Sequence, residues 1–319
     1  MTGYVIRRVV WGIALLIIVC ALTFLLFRII PTGNPAVLRA GRDPQPQLIK
    51  EIERVLGLDK SLPTQFWDYI KGVFLHFNFG YSYYSQQSVL SLIRERLPAT
   101  LSLTLGAAVV WMVAGLSIGI ISALKRRTFW DRASMGTALV LISAPEFWLG
   151  LLALLLFSND IGKLHLFPGA GSYVGLTADP LKWFTSLIMP WCVLAAGSAA
   201  VFARLMRGSM IETMDEDYIR TARAKGLPER RVIRQGVRSS INPIVTLLAL
   251  EVGVLLGGAV LIEYVFNIPG VGLLAYHSIV QSDFEVIQGT VLLASMFIII
   301  ANIAADIGYA YLDPRVRYS

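Results

Sequence analysis

Residues 99–124, ATLSLTLGAAVVWMVAGLSIGIISAL, contain no Lys, Arg, Asp or Glu. The hydrocarbon core of a bilayer is about 30 Å thick and is crossed by roughly 20 consecutive apolar residues in a helix. The segment exceeds that length, which a buried helix of a soluble protein rarely needs. Three further charge-free runs share its character: Val9 to Phe27, Trp183 to Ala203 and Ile287 to Ala305. Two more stretches have the length but carry carboxylates, Glu146 in Ala133 to Asn159, and Glu251 and Glu263 in Ile241 to Phe266. Counting all of these, the expected fold is all-α, a polytopic membrane protein with six transmembrane helices. Composition agrees, since 55% of the 319 residues are apolar and 15% are charged, against about a quarter charged in soluble domains.

The net charge of +7 is explained by topology rather than by nucleic acid. With the N-terminus inside, the turn holding Lys125, Arg126, Arg127 and Arg132, the stretch from Arg204 to Arg238, and the tail with Arg315 and Arg317 all face the cytoplasm. The outward loops after the third and fifth spans then carry only Lys163 and Lys182, as the positive-inside bias requires. Residues 31–97 hold eight Lys and Arg, but loops longer than about 60 residues translocate largely regardless of charge. The expectation is N-in and C-in. The opening helix with Tyr4, Arg7 and Arg8 has some signal-peptide character, yet its apolar run is long and no small-x-small site precedes Pro31, so an uncleaved anchor is favoured.

Cys20 and Cys192 both fall inside apolar runs, and His76, His165 and His277 are isolated. Neither a disulfide framework nor a metal-binding spacing is present. Between the first span and Pro98 lies an extracytoplasmic loop module. In it Leu48, Ile49, Ile52, Val55 and Leu56 recur at helical spacing against Lys50, Glu51, Glu53 and Arg54, ending at Gly57. Aromatic residues follow from Phe66 to Tyr84, either as an interfacial belt or as a docking face for an external partner.

The stretch 207–242 is the most informative. Asp215, Glu216 and Asp217 offer an N-cap and negative first-turn charge, Tyr218 to Lys225 read as helix, and Gly226 ends it. Pro228 suits the N1 position of a second helix with Glu229 in its first turn and Val232, Ile233 and Val237 on one face. A helix of about ten residues is marginal alone in water, so something must hold the first one. Its small residues Thr221, Ala222 and Ala224 would let another protein surface approach closely. Arg220, Arg223, Lys225, Arg230 and Arg231 would meet acids there or anionic lipid heads.

Glu216-Asp217-Tyr218-Ile219-Arg220-Thr221-Ala222-Arg223-Ala224-Lys225-Gly226-Leu227 resembles the coupling motif of bacterial ABC import permeases, in the variant of the dipeptide and oligopeptide branch. The general motif has Glu-Ala-Ala where Arg220, Thr221 and Ala222 stand, and Gly226 keeps its place. The resemblance extends along the chain. It includes Arg28-Ile29-Ile30-Pro31 with Gly33-Asn34-Pro35-Ala36, Arg96-Leu97-Pro98-Ala99-Thr100-Leu101, and Gly257-Gly258-Ala259-Val260 with Glu263, Phe266, Pro269, Gly270 and Gly272. Near the end, Gln288-Gly289, Asn302, Asp306, Tyr309 and Leu312-Asp313-Pro314-Arg315 continue it. It implies a second homologous permease subunit, two cytoplasmic ATP-binding subunits or one fused pair, and an extracytoplasmic substrate-binding protein, in a bacterial inner membrane. It also implies ATPase-coupling roles for Glu216, Asp217, Tyr218, Arg220, Thr221, Ala222, Lys225, Gly226 and Leu227. Peptides are the implied substrates, with nickel chelates, glutathione, haem or opines as alternatives.

The chain has no G-x-x-x-x-G-K-[ST] phosphate cradle. It is therefore expected to be a non-catalytic subunit that binds no cofactor, with ATP and Mg on its partners. Intramembrane carboxylates are costly and are expected to face protein or water, so Glu251, Glu263 and Asn302 are candidates for a substrate path or gate. The structural alternative has such acids bonded to neighbours such as Asn302 or Arg204. Gly106, Gly115, Gly119, Gly253, Gly257 and Gly258 would permit close helix contact, and Pro145 and Pro190 could kink their spans. An ion-coupled secondary transporter is the rival class, but no inverted repeat of broken helices supports it. The expected organisation is 1–30 (cytoplasmic N-terminus and first span), 31–97 (extracytoplasmic module), 98–312 (five spans, with the cytoplasmic loop 207–242) and 313–319 (tail).

Overall fold

The computed structural model describes residues 2–29, 36–37, 45–55, 59–82, 84–256 and 259–312. The expectations placed on Gly57, on Gly257 and Gly258, on 30–35 and on the tail 313–319 fall outside them. Among the described residues the chain is helical, and the only β-type pairings are single bridges, Tyr81 with Ser88 and Ser158 with Phe167. We number the helices α1 (Thr2–Phe24, continued by a π turn Leu25–Ile29), α2 (Pro46–Val55), α3 (Leu62–His76) and α4 (Val89–Leu124). Then come α5 (Phe129–Ser143), α6 (Glu146–Phe157), α7 (Pro180–Met214), α8 (Asp217–Ala224) and α9 (Glu229–Ser240). The last four are α10 (Asn242–Leu256), α11 (Val260–Val265), α12 (Val271–Val280) and α13 (Phe284–Leu312).

Among the described residues four helices are long and apolar enough to cross a membrane: α1, α4, α7 and α13. Ala133 to Asn159 is not one straight span. It is the pair α5–α6, bent by 108°, and counts as a fifth crossing if taken as one. The bend has a local cause. Steric conflict with a following proline pushes a residue out of the helical region, and Ala144 before Pro145 is extended at φ −85°, ψ 130°. Pro190 does not have this effect, because α7 runs through it unbroken. Ile241 to Phe266 is likewise divided, into α10 and α11, and neither piece reaches spanning length alone. An exposed apolar stripe runs along α4, where Leu105, Val109 and Val113 are each more than half exposed. Such contiguous apolar surface on a protein of this composition marks contact with membrane or another subunit.

The central packing unit is α4 against α7. Gly106 lies flat beneath the Trp191 ring, so close that a Cβ would stand 2.2 Å from its Nε1. That nitrogen donates to the Ser102 carbonyl at 2.9 Å. Further along, Cβ atoms at Gly115 and Gly119 would approach the Ala199 and Ala203 carbonyls at 2.9 and 2.7 Å. The expected close contact through these three glycines is therefore made, and its partner is α7. Trp111 and Phe202, both fully buried, meet at 6.2 Å in the middle of the unit. Around it α5 and α6 pack on α7, while α10 and α1 pack on α13. A Cβ at Gly253 would stand 2.4 Å from the Ala301 Cβ.

Candidate functional site

The segment after α7 forms a helical hairpin. α7 itself continues to Met214, so Arg207 to Met214, read from sequence as loop, are the last two turns of the long helix. Asp215 ends it, and Glu216 is the N-cap residue of α8, although its side chain makes no capping hydrogen bond. Asp217 supplies the acidic first turn. At the other end Gly226 has φ +74°, the left-handed conformation that glycine adopts without penalty. Its amide donates to the Arg223 carbonyl at 2.9 Å, and the Leu227 amide donates to Ala222 at 3.2 Å. These two bonds make a Schellman closure. Pro228 is the N-cap of α9, one position earlier than the N1 site expected, and Glu229 opens the helix.

Ile219, Ala222 and Val232 are buried together against Met214, and this small apolar cluster holds the marginal helix in place. Ala222 thus points into the hairpin, so the small face expected to be open to a partner reduces to Thr221 and Ala224. Tyr218 and Leu227 are also exposed. Two of the five cations are engaged within the hairpin. Arg223 donates to Glu229 at 2.9 and 3.3 Å, and Arg220 to Asp217 at 3.3 Å. The Arg223 guanidinium holds the Glu229 carboxyl below its ordinary range. Lys225, Arg230 and Arg231 stay exposed. α9 is anchored to α7 by Ser240, whose hydroxyl lies 2.9 Å from that of Thr213, and by Gly236, where a Cβ would stand 2.9 Å from the Met214 sulfur.

At the same end of the bundle is an ion pair that sequence reasoning missed. Asp131, in the first turn of α5, accepts from Arg207 of α7 at 2.7 Å (Nε) and 2.8 Å (Nη2), from the Ser122 hydroxyl of α4, and from the Arg127 amide at 2.9 Å. Its side chain is 4% exposed. The cluster ties α4, α5 and α7 together just before the hairpin begins. Arg126 and Asp215 add a longer contact of 3.9 Å. The available signal was Asp131 itself, the lone acid in a turn of cations. Arg204, proposed from sequence as a partner for inward acids, is exposed instead, and Arg207 one turn on plays that part.

The intramembrane acids divide into two cases. Glu263 of α11 is fully buried. Its carboxylate accepts from the Thr100 hydroxyl of α4 and the Leu273 amide of α12, both at 2.7 Å, while Thr100 accepts from the Val271 amide at 2.8 Å. One carboxylate therefore fastens the N-terminus of α12 to α4 and α11, which suits the positive end of a helix dipole. Glycine is required at 270, because a Cβ there would fall 2.2 Å from the Glu263 carboxyl carbon. Glu146, in the first turn of α6, and Glu251, in α10, are both half-buried and close enough to act on each other electrostatically. The bend at Pro145 carries Glu146 over Gly197 of α7, where a Cβ would lie 4.0 Å from its Oε1. Asn302 is half-buried on α13. Side chains beyond Ala304, Asp306 among them, lie outside the described residues. Among the described residues no group of three or more His, Cys, Asp or Glu could hold a metal.

Residues 115–318 match the family described as the inner membrane component of binding-protein-dependent transport systems, and residues 1–104 match the N-terminal membrane component of the same systems. Among curated proteins, one from Brucella abortus (strain 2308), provisionally named a peptide transport system permease protein, is 39% identical over 319 residues, all of both chains. The glutathione transport system permease proteins GsiC of Salmonella typhi and of Escherichia coli O1:K1 are each 40% identical over 319 residues, again all of both chains.

Proposed function

The chain belongs to the family of binding-protein-dependent transport inner membrane components, and from that membership we propose that it is one membrane-spanning half of an ATP-driven importer for peptides or glutathione-like peptides. The relatives of matching length carry those substrates in their names. It works beside a second homologous permease, with two ATP-binding subunits or a fused pair on the cytoplasmic side and a substrate-binding protein outside. It is not itself an enzyme, and ATP and Mg belong to the partners. It crosses the bacterial inner membrane six times, N-in and C-in, by α1, α4, the bent pair α5–α6, α7, the divided pair α10–α11, and α13. In that topology the basic turn before α5 and the α8–α9 hairpin share the cytoplasmic face, in keeping with the positive-inside bias.

The observation that carries the proposal is the hairpin itself. A helix of eight residues, Asp217–Ala224, would not persist alone in water. Here it is held on one side by the Ile219, Ala222 and Val232 cluster and presents Tyr218, Thr221, Ala224, Lys225 and Leu227 on the other. Glu216, Asp217, Arg220 and Gly226 set its ends. Seated in a cleft of an ATP-binding subunit, the hairpin passes closure of that subunit on ATP to α7, which is joined to it without a loop of any length. Transport then follows from a shift between inward-open and outward-open packings. Glu251, with Glu146 beside it, and Asn302 are our candidates for the substrate path, and Glu263 for holding its outer end.

Gly226→Val in the assembled, reconstituted transporter tests this. No atom lies within 4 Å of a Cβ at Gly226, so the substitution strains only the backbone turn, by about 1 kcal/mol. The protein should still insert and assemble, yet lose substrate-stimulated ATP hydrolysis and uptake. Normal uptake of labelled peptides by that variant would overturn the coupling role. Uptake of labelled dipeptides, oligopeptides and glutathione by cells with and without this chain identifies the substrate.

A further inference from the structure

Thr100 and Thr104 stand one turn apart on α4, and both are fully buried. Between them they straddle the break in the α10–α11 span. α10 ends at Leu256 and α11 begins at Val260, with Ala259 off the helical region at φ −77°, ψ 53°. A broken helix in apolar surroundings frees backbone groups that neighbours must satisfy. On the near side of the break the Thr104 hydroxyl donates to the Leu255 carbonyl at a long 3.4 Å, and on the far side the Thr100 hydroxyl donates to Glu263 at 2.7 Å. Thr100 also accepts from the Val271 amide at 2.8 Å. Among the described residues, the hydrogen bonds between α4 and the segment α10–α12 all run through these two threonines.

The first amides of a helix lack partners within it, and α12 has no cap of its own. Gly270 is its N-cap residue and has no side chain to offer. The Val271 and Leu273 amides are satisfied instead by Thr100 of α4 and Glu263 of α11. Glu263 is fully buried, its hydrogen bonds come from neutral donors, and no Lys or Arg lies between Arg238 and Arg315. A buried carboxylate that loses its partners is strongly destabilised. Moving α4 away from α11 would orphan the carboxylate and the Val271 amide together, so the junction is made or lost as a unit.

Its place between the rigid and the interrupted parts of the molecule gives that unit a use. On one side α4 is packed on α7 through Gly115 and Gly119. On the other, α11 is seated on α6, where a Cβ at Gly150 would meet Val265 and Phe266 at 3.1 and 3.3 Å. We propose that the Thr100–Glu263 junction is a latch, closed in this conformation and released once in each transport cycle, when α11 and α12 part from α4. Thr100 is then a positioning residue for the outer end of the passage. This inference rests on the transport reading given above and adds to it the contact that must break.

The test uses the assembled, reconstituted transporter carrying Thr100→Cys and Val271→Cys, with Cys20 and Cys192 replaced by Ala. Oxidation should join the new pair, seen as a linked peptide by mass spectrometry. Uptake of labelled peptides and substrate-stimulated ATP hydrolysis should then fall at least about tenfold and return on reduction, about what one charge-assisted hydrogen bond is worth in an equilibrium. Thr100→Val removes only the hydroxyl and should raise ATP hydrolysis without substrate, relative to the stimulated rate, by about the same factor, and Thr100→Ser should restore the wild-type ratio. Full uptake by the cross-linked pair would mean a permanent structural contact and overturn the latch, as would failure of the pair to link, or an unchanged ratio in Thr100→Val. A wild-type complex that takes up none of the peptides would defeat the transport reading and the latch with it. Uptake by the wild type and equally by the cross-linked pair would defeat the latch alone.

Discussion

Replacing Arg207 by Gln should destabilise the protein more than replacing Asp131 by Asn, and the double replacement should cost less than the two singles added together. The asymmetry follows from burial. Asp131 is 4% exposed and Arg207 28% exposed. Without the guanidinium, Asp131 keeps the Ser122 hydroxyl and the Arg127 amide but has no counter-charge. Breaking a buried pair so that one charge stays uncompensated costs about 3–5 kcal/mol. Here the pair sits at helix ends, where the remaining charge is nearer to water, so we take the lower edge, about 3 kcal/mol. Without the carboxylate charge, Arg207 swings its head towards water or lipid phosphate, and the loss is that of a charged hydrogen bond, about 1.5 kcal/mol. Neutralising both leaves no buried charge at all, and about 2 kcal/mol is expected in place of the sum. The assay is the thermal midpoint of the monodisperse fraction in detergent. At about 2 °C per kcal/mol for a chain of this size, Arg207→Gln falls by about 6 °C, Asp131→Asn by about 3 °C and the double variant by about 4 °C. Equal losses for the two singles, or losses that add, would refute the reasoning, because either result means that the buried carboxylate does not depend on this partner.

Two glycine substitutions test the packing in the same assay. Gly270→Ala would drive a methyl into the Glu263 carboxylate and should cost about 2 kcal/mol, within the range for overpacking. The same change made on a Glu263→Ala background should be nearly neutral, and an undiminished loss there would exclude the carboxylate as the cause. Gly119→Ala should cost about 2 kcal/mol, because the Ala203 carbonyl that a Cβ would meet at 2.7 Å belongs to a backbone that cannot yield. Gly136→Ala is its control, with no atom within 4 Å, and should gain up to about 1 kcal/mol of helix propensity. Matching signs for Gly119 and Gly136 would show that contact between α4 and α7 is looser than described.

What the sequence made legible was what depends on local chemistry. Charge-free runs located α1, α4, α7 and α13 because the bilayer imposes both a length and a composition. The hairpin was legible because Asp217, Gly226 and Pro228 act through backbone geometry within a few residues of themselves. The bend at Pro145 was foreseen as a kink, but its size was not, since 108° depends on what α6 packs against. α7 was cut short because Arg204 and Arg207 read as the start of a basic loop, when Arg207 is in fact satisfied by Asp131, 76 residues earlier. A contact between residues so far apart leaves no trace in spacing or periodicity. The inward turn of Ala222 was hidden for the same reason, because the buried face of an eight-residue helix is chosen by its partner, here Val232 of α9.

The positions of stiffness and of breaks bear on how a push at the hairpin would travel. α8 and α9 cannot absorb displacement by themselves, since the Schellman closure at Gly226, the Arg223–Glu229 pair and the Ser240 contacts with α7 fix them to one another and to the long helix. Load applied there enters α7 directly. It passes from α7 to α4 through backbone contacts at Gly115 and Gly119 that leave no room for sliding, and to α5 through Arg207 and Asp131. On the proposed coupling, the give is expected where the helices are interrupted, at Ala144–Pro145 between α5 and α6 and at Ala259 before α11. Glu146 follows the first interruption directly and Glu263 stands four residues past Ala259, after the second. On the proposed coupling, the two interruptions set these carboxylates where rearrangement is expected to cost least, and the α4–α7 unit is expected to move as one body.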